Sequence, residues 1–190
     1  AYTPNLTNPW KAAQPVVNPA ALPPPPPLNY QPSVMDNATA QLLLELHNIE
    51  RTFVGMKNLT WSPTLAVSAQ ANANKNAKAG TLYLSGLSVG ENLQSATIGP
   101  NIVAGIFNAW RSERRYFDAT KVYPKCAINN KMVSHYTQIV WSASYEVGCG
   151  LATNSKNAIL DCQYKLGGNY IGNYAVYPAP KVNFAFNATL

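Results

Sequence analysis

At 190 residues, with 47% hydrophobic and 12% charged side chains, the chain has room for one domain with a sizeable core and is too apolar to be a disordered polymer. The net charge of +6 and pI near 9.2 suit acidic partner surfaces. The basic residues are scattered apart from Arg111, Arg114 and Arg115, and no RNA-binding signature accompanies them, which argues against nucleic acid; no apolar run approaches the ~18 residues of a membrane span.

Residues 1–35 read as a proline-rich extended leader. Pro23 to Pro27 stand in a row, a composition that favours a polyproline helix and cannot build a core. The folded domain is expected over residues 36–180, with residues 181–190 as a tail. The chain opens on Ala1 without a methionine, which suggests a processed product. Four N-x-[ST] sequons, at Asn5, Asn37, Asn58 and Asn187, fit a secreted, extracellular glycoprotein.

Within the domain, Leu42, Leu46, Ile49 and Phe53 recur at helical spacing over residues 40–54, and His47 sits at the edge of that stripe beside Leu43 and Glu50. Ser62-Pro63 opens a second helix as an N-cap followed by a first-turn proline, and Gly80 is a natural stop. Residues 81–89 read as a flexible loop leading into Gly90-Glu91-Asn92. A third helix begins near Pro100. Its apolar stripe is Ile102, Ile106, Trp110 and Phe117, and Glu113 falls on the same face. A carboxylate there is costly without a partner, which marks Glu113 as a candidate site residue.

Two strands close the domain. Tyr145, Val147, Cys149 and Leu151 alternate on one face of residues 145–153, and residues 158–164 are strand-like as well. Asn154-Ser155-Lys156-Asn157 between them is turn-prone. A two-residue turn at Ser155-Lys156 puts Cys149 opposite Cys162. Directly opposed antiparallel residues have Cα atoms about 4.5–5.5 Å apart, within disulfide reach. A Cys149–Cys162 bridge is therefore expected. Cys126 is left over, either buried and inert or bridged to another chain. The stretch from Gly167 to Pro178 reads as a glycine loop followed by a strand. Helices first and strands later give an α+β arrangement without internal repeats.

The two histidines of the chain are His47 and His135, the latter in Ser134-His135-Tyr136-Thr137-Gln138-Ile139-Val140-Trp141. By spacing alone each has an ordinary structural reading, as does Glu91. However, His135 through Trp141 followed by Val147-Gly148-Cys149 resembles the first signature of the CAP superfamily of cysteine-rich secretory, antigen 5 and pathogenesis-related class 1 proteins. Cys162 through Gly172 resembles the second signature. His47 through Arg51, Leu59 through Leu65, Gly90 through Leu93 and Trp110 through Glu113 match in order. The style is closest to fungal and plant class 1 members. Departures are Ser134 in place of a frequent glycine, Leu166 in place of proline, and one possible disulfide where plant members have three. Each absent bridge would forgo ~2–4 kcal/mol.

The resemblance implies a three-layer α-β-α sandwich around a central antiparallel sheet, with a cleft tetrad of His47, Glu91, Glu113 and His135. His47 and His135 would be the ligands of a weakly bound divalent cation, Zn²⁺ or Mg²⁺, with Glu91 and Glu113 holding the rings or serving as base. The alternative is a satisfied polar network on the cleft floor. No nucleophile sits in the matched motifs, so the chain is not read as an enzyme, and a metal-dependent hydrolase remains the competing reading. Relatives imply a secreted carrier of small lipids, sterol or fatty acid, at a defence or host–pathogen interface. Leu82, Tyr83, Leu84 and Leu87 in the loop before Glu91 are the candidate lipid contacts. A third reading is an effector acting through a protein receptor.

Overall fold

A computed structural model describes residues 35–176. The leader before Met35, the tail, and the sequons at Asn5 and Asn187 lie outside the described residues. Helix α1 (Asn37–Phe53) starts where Asp36 accepts the Thr39 N–H at 2.8 Å and the Thr39 hydroxyl. After strand β1 (Thr60–Trp61), helix α2 (Pro63–Ala79) begins on its proline and ends at Gly80, whose φ of 68° is the left-handed cap that glycine adopts without steric cost. Both ends of α2 fall where the sequence puts them.

Strand β2 (Gly90–Thr97) precedes helix α3 (Ile102–Ser112), which tightens into a 3₁₀ turn over Glu113–Tyr116. Helix α4 (Ser134–Ile139) and strands β3 (Glu146–Thr153) and β4 (Asn157–Lys165) follow. The sheet order is β1-β3-β4-β2. The three long strands are antiparallel, while two-residue β1 joins β3 in parallel. The sheet is thus mixed, not wholly antiparallel. Cys149 faces Cys162 in the register and is bonded to it, with Cα atoms 4.1 Å apart. Asn154 donates its N–H to the Asn157 carbonyl across the turn. The last predicted strand does not form among the described residues. Tyr174–Val176 run as a bend held by one bond, from Ser142 N–H to the Ala175 carbonyl at 2.7 Å.

Helix α2 covers one sheet face. Gly148 and Gly150 let it lie close, since a Cβ on either would run into the backbone of Ala66 or Gln70. That layer is held by a small cluster of Ala73, Ala77, Ala152 and Ile159. On the opposite face, α1, α3 and α4 close the main core around Leu43, Phe107, Trp110, Tyr136, Leu160 and Tyr164. This is the three-layer α-β-α sandwich. Cys126 is buried there, and burial pushes its thiol up to about 11, so it is an inert core thiol and not a bridge to another chain.

The sequence misjudges how α1 is turned. Its apolar stripe was expected inward, yet Leu42, Ile49 and Phe53 are 40, 57 and 53% exposed. The buried face is Leu43, His47, Glu50 and Val54, one residue on, which is a rotation of about 100°. Arg51 lies inward with them and is fully buried. Its guanidinium donates to the carbonyls of Lys57 (2.6 Å), Ile139 (3.0 Å), Trp141 (2.8 Å) and Ser144 (2.9 Å). Burial lowers its pKa to about 10, so it stays charged at neutral pH. These bonds fasten α1 to the segment joining α4 to β3. Arg51→Met, which keeps the stem and deletes every donor, should lower unfolding free energy by about 3–5 kcal/mol in chemical denaturation. A loss below about 1 kcal/mol would show that the carbonyls find other partners.

Candidate functional site

Glu113 begins the 3₁₀ turn after α3, and its carboxylate meets the start of α4. It accepts the His135 N–H at 2.9 Å, the Tyr136 N–H at 3.0 Å and the His135 ring Nδ1–H at 2.7 Å. The acid flagged on an apolar face is thus satisfied as the cap of a short helix. The His135 ring stacks on Trp110, with centroids 5.8 Å apart and planes 13° apart. With Nδ1 committed to Glu113, Nε2 carries no protein partner among the described residues. His135 and Glu113 side chains are 23 and 12% exposed, so this pair does sit at a partly open cleft floor.

Glu91 stands at the start of β2 beneath the loop of residues 81–89. Ser85 donates its N–H to both carboxylate oxygens at 3.0 Å and its hydroxyl to Oε2 at 2.6 Å. Asn72 of α2 donates to Glu91 Oε1 at 2.9 Å and to Asp161 Oδ2 at 2.7 Å. Asn72 and Asn76 also hold the Tyr83 carbonyl, at 3.1 and 2.9 Å, and the Asn76 side-chain oxygen accepts the Tyr83 N–H. The loop backbone is therefore pinned to α2 and Glu91. Leu82 and Leu87 project outward at 42 and 53% exposure, while Tyr83 and Leu84 are half-buried.

His47 does not join the cleft. It is fully buried. Nδ1–H donates to the Leu43 carbonyl, one turn back at 2.7 Å, so Nε2 is the acceptor for the Tyr164 hydroxyl at 2.8 Å. Tyr164 and the His135 carbonyl share the Asn92 amide, at 3.1 and 3.0 Å. The two histidines are thus linked by a buried relay that ends on the backbone of His135, while their rings occupy different surroundings. Both nitrogens of His47 are spent. The expected two-histidine Zn²⁺ or Mg²⁺ site is not assembled, and no group of three or more His, Cys, Asp or Glu able to hold a metal occurs among the described residues. The physical reason is the one-residue rotation of α1, which turns His47 from the helix edge into the core.

Three buried residues that the sequence reading passed over organise this region. Glu50, 1% exposed, accepts Arg114 at 3.0 Å and lies 3.7 Å from Arg111. Burial raises its pKa, and the two guanidiniums oppose the shift. Asp161 and Gln163 are fully buried on the α2 face of β4. Strand alternation was the available signal for these two, since it places 159, 161 and 163 on the face opposite Cys162. The remaining sequons, Asn37 at the start of α1 and Asn58 beyond its end, are exposed.

With this geometry in hand, comparison with known proteins gives a consistent result. The model of the Cysteine-rich secretory protein family (CAP) matches residues 44–164, more than half of the chain. Pathogenesis-related protein 1A1 of Solanum lycopersicum is 37% identical over 131 residues, covering 68% of this chain and 73% of its own. Scoloptoxin SSD976 of Scolopendra dehaani is 32% identical over 158 residues, covering 72% of each. Among solved structures, venom allergen-like protein 4 of Schistosoma mansoni superposes with a TM-score of 0.61 at 21% identity, covering 76% of this chain and 98% of that one. The chain belongs to the CAP family and has its α-β-α fold.

The buried imidazole carries a pH dependence. Desolvation holds the His47 pKa near 4, reinforced by Arg51 and opposed by the Leu43 carbonyl, against the usual 6.5. Between those values the unfolded chain binds a proton that the folded chain refuses, so stability falls as pH drops from 6.5 toward 4. The loss should be on the order of 3 kcal/mol. Denaturation midpoints of wild type and His47→Gln across that range test this. The wild-type slope should exceed that of the variant, and parallel curves would count against it.

Proposed function

We propose that this chain is a secreted carrier of small lipids, with fatty acid favoured over sterol. The observation behind this reading is the outward apolar face of α1. It lines an open groove of about 800 Å³ with Leu44, Ile49 and Phe53, rimmed by Asn48, Thr52 and Asn58. That volume is in the range of small-molecule sites. Exposing Ile49 and Phe53 to water has no folding rationale when α1 holds its place by polar anchors instead. At the Phe53 end, the Arg114 guanidinium lies 4.5 Å from the ring centroid, and Arg111 converges with it on the single Glu50 carboxylate. An apolar trough ending beside two guanidiniums suits a chain with an anionic head, whereas a sterol hydroxyl gains little from the charge. Burying half the methylenes of a sixteen-carbon chain contributes roughly 6 kcal/mol before association costs, consistent with micromolar binding.

The loop leucines Leu82 and Leu87 are a separate apolar surface and provide the internal comparison. Labelled palmitate and a labelled sterol should be titrated into wild type, Ile49→Glu/Phe53→Ser and Leu82→Ser/Leu87→Ser. Palmitate should bind at micromolar protein, the first variant should weaken it by about tenfold or more, and the second should not. Saturable sterol binding lost in the loop variant would move the site to the loop. Absence of both ligands would end the carrier reading. A hydrolase at the four tetrad positions has no support in the geometry, since His47 is sealed in the core.

A further inference from the structure

After β4 the chain exposes Leu166, Tyr170, Ile171 and Tyr174 within a short stretch. Three of these, Leu166, Tyr170 and Tyr174, line a groove of about 370 Å³ together with Trp141, Ser142 and Asn173. Buried Trp141 forms its floor and meets Tyr170 edge to face, with ring centroids 6.1 Å apart. The tyrosines stand on fixed backbone. Gly172 N–H donates to the Tyr123 carbonyl and Tyr123 N–H to the Asn173 carbonyl, both at 2.8 Å, while Ala175 is held by Ser142. No residue lining the groove is charged, and none is shared with the α1 trough.

We propose that this groove holds a polyproline segment, and that its occupant is the chain's own Pro23–Pro27 run. Aromatic-lined grooves take proline-rich segments because the rings stack on flat aromatic faces and the extended helix is ordered before it binds. A proline run offers carbonyls and no backbone N–H, so it needs donors from its host. The Tyr170 and Tyr174 hydroxyls, the Asn173 amide and the Ser142 hydroxyl are of that kind. A neutral lining gives an anionic ligand no counter-charge. The tether is also long enough. Met35 N–H donates to Gln70 Oε1 at 3.0 Å, and the same oxygen accepts the Leu151 N–H at 3.1 Å, so the described chain starts beside Leu151. The groove lies past the other end of β3, where Tyr145 N–H donates to the Lys165 carbonyl and the Ser144 hydroxyl to the Leu166 carbonyl. From Leu151 back to Tyr145 is about 20 Å of strand. Pro27 precedes Met35 by eight residues, which span about 25 Å when extended. This inference does not depend on lipid binding.

Contacts with about 20 ligand atoms at ordinary efficiency give a dissociation constant of about 10⁻⁴ M. Tethering through residues 28–34 supplies an effective concentration of about 10⁻³ M, so the run occupies its groove roughly nine-tenths of the time. The test is fluorescence anisotropy with a labelled peptide of residues 21–29, titrated into the full chain and into a full-chain variant with Pro23 to Pro27 all changed to Ser. The variant should bind the peptide about tenfold more tightly than wild type, whose groove is already filled. Adding Tyr170→Ala and Tyr174→Ala to the variant should weaken binding by about tenfold or more. Thermal unfolding checks that each protein folds; if Tyr170→Ala lowers the midpoint by more than a few degrees, Tyr174→Ala alone decides. Sedimentation should show wild type as a monomer. The proposal is overturned if the variant binds no peptide at about 10⁻² M, roughly a hundredfold above the expected constant. It is equally overturned if wild type and variant bind alike, or if the tyrosine changes leave binding intact. Loss in Ile49→Glu/Phe53→Ser instead would place the peptide on α1, and a wild-type dimer that dissociates in the serine variant would seat the run on a second copy. Either result overturns the assignment.

Discussion

A positive charge with no route to water fixes the orientation of α1. Taking the Arg51 guanidinium out of solvent costs several kcal/mol, and it is retained because four carbonyls from two distant segments accept its protons. Those carbonyls belong to the turn after α1 and to the α4–β3 connection, where the chain leaves the helical layer for the sheet. With Arg51 inward, His47 follows because it lies four residues back on the same helix face, and Glu50 follows as the residue three on from His47. Each arrives with its own partner: Tyr164 and the Leu43 carbonyl for His47, Arg114 and Arg111 for Glu50. The apolar residues of α1 are displaced outward by the same rotation. A polar core anchor and an exposed apolar trough are therefore two consequences of one constraint.

The two faces of the sheet are built from different chemistry. One carries the disulfide and the large aromatic core, with Tyr164, Phe107 and Trp110 packed beneath α1 and α3. The other is made of glycine and alanine, so α2 comes close enough for Asn72 and Asn76 to reach the loop and strand backbone. Close approach leaves no room for bulky apolar side chains. Cohesion on that face comes from amides and carboxylates, which demand partners that hydrocarbon does not. A chain with a single disulfide has replaced covalent staples largely with buried hydrogen bonds.

These same features divide what the sequence reveals from what it hides. The β3–β4 hairpin register was legible because a turn signal and strict alternation are both local, and the cysteines had to meet once the turn was placed. The ends of α2 were legible from Ser62-Pro63 and Gly80 for the same reason. Glu113 stood out since a carboxylate on an apolar stripe demands a partner. The phase of α1 was illegible. Counting apolar residues predicts Leu42, Ile49 and Phe53 inside, and the deciding contacts of Arg51 lie about 90 residues away in sequence. Strand β2 was missed because Gly90-Glu91-Asn92 is locally loop-like and becomes a strand only by pairing with β4. The resemblance located Glu91, Glu113 and His135 at functional-looking positions, but it carried His47 into a cleft from which the rotation of α1 removes it.

What distinguishes a site from a scaffold in this molecule is unspent hydrogen-bonding capacity. His47 has none left, and its low pKa expresses how fully the core requires the neutral ring. Glu113 spends its carboxylate on two backbone N–H groups and one imidazole, which orients His135 and leaves a single ring nitrogen toward the cleft. Glu91 is divided between loop and helix. Asp161 takes a bond from Asn72 on Oδ2, and among the described residues the buried atoms left without a partner at the distances of a hydrogen bond include Asp161 Oδ1, the Gln163 amide, the Trp110 indole N–H and the Tyr136 hydroxyl.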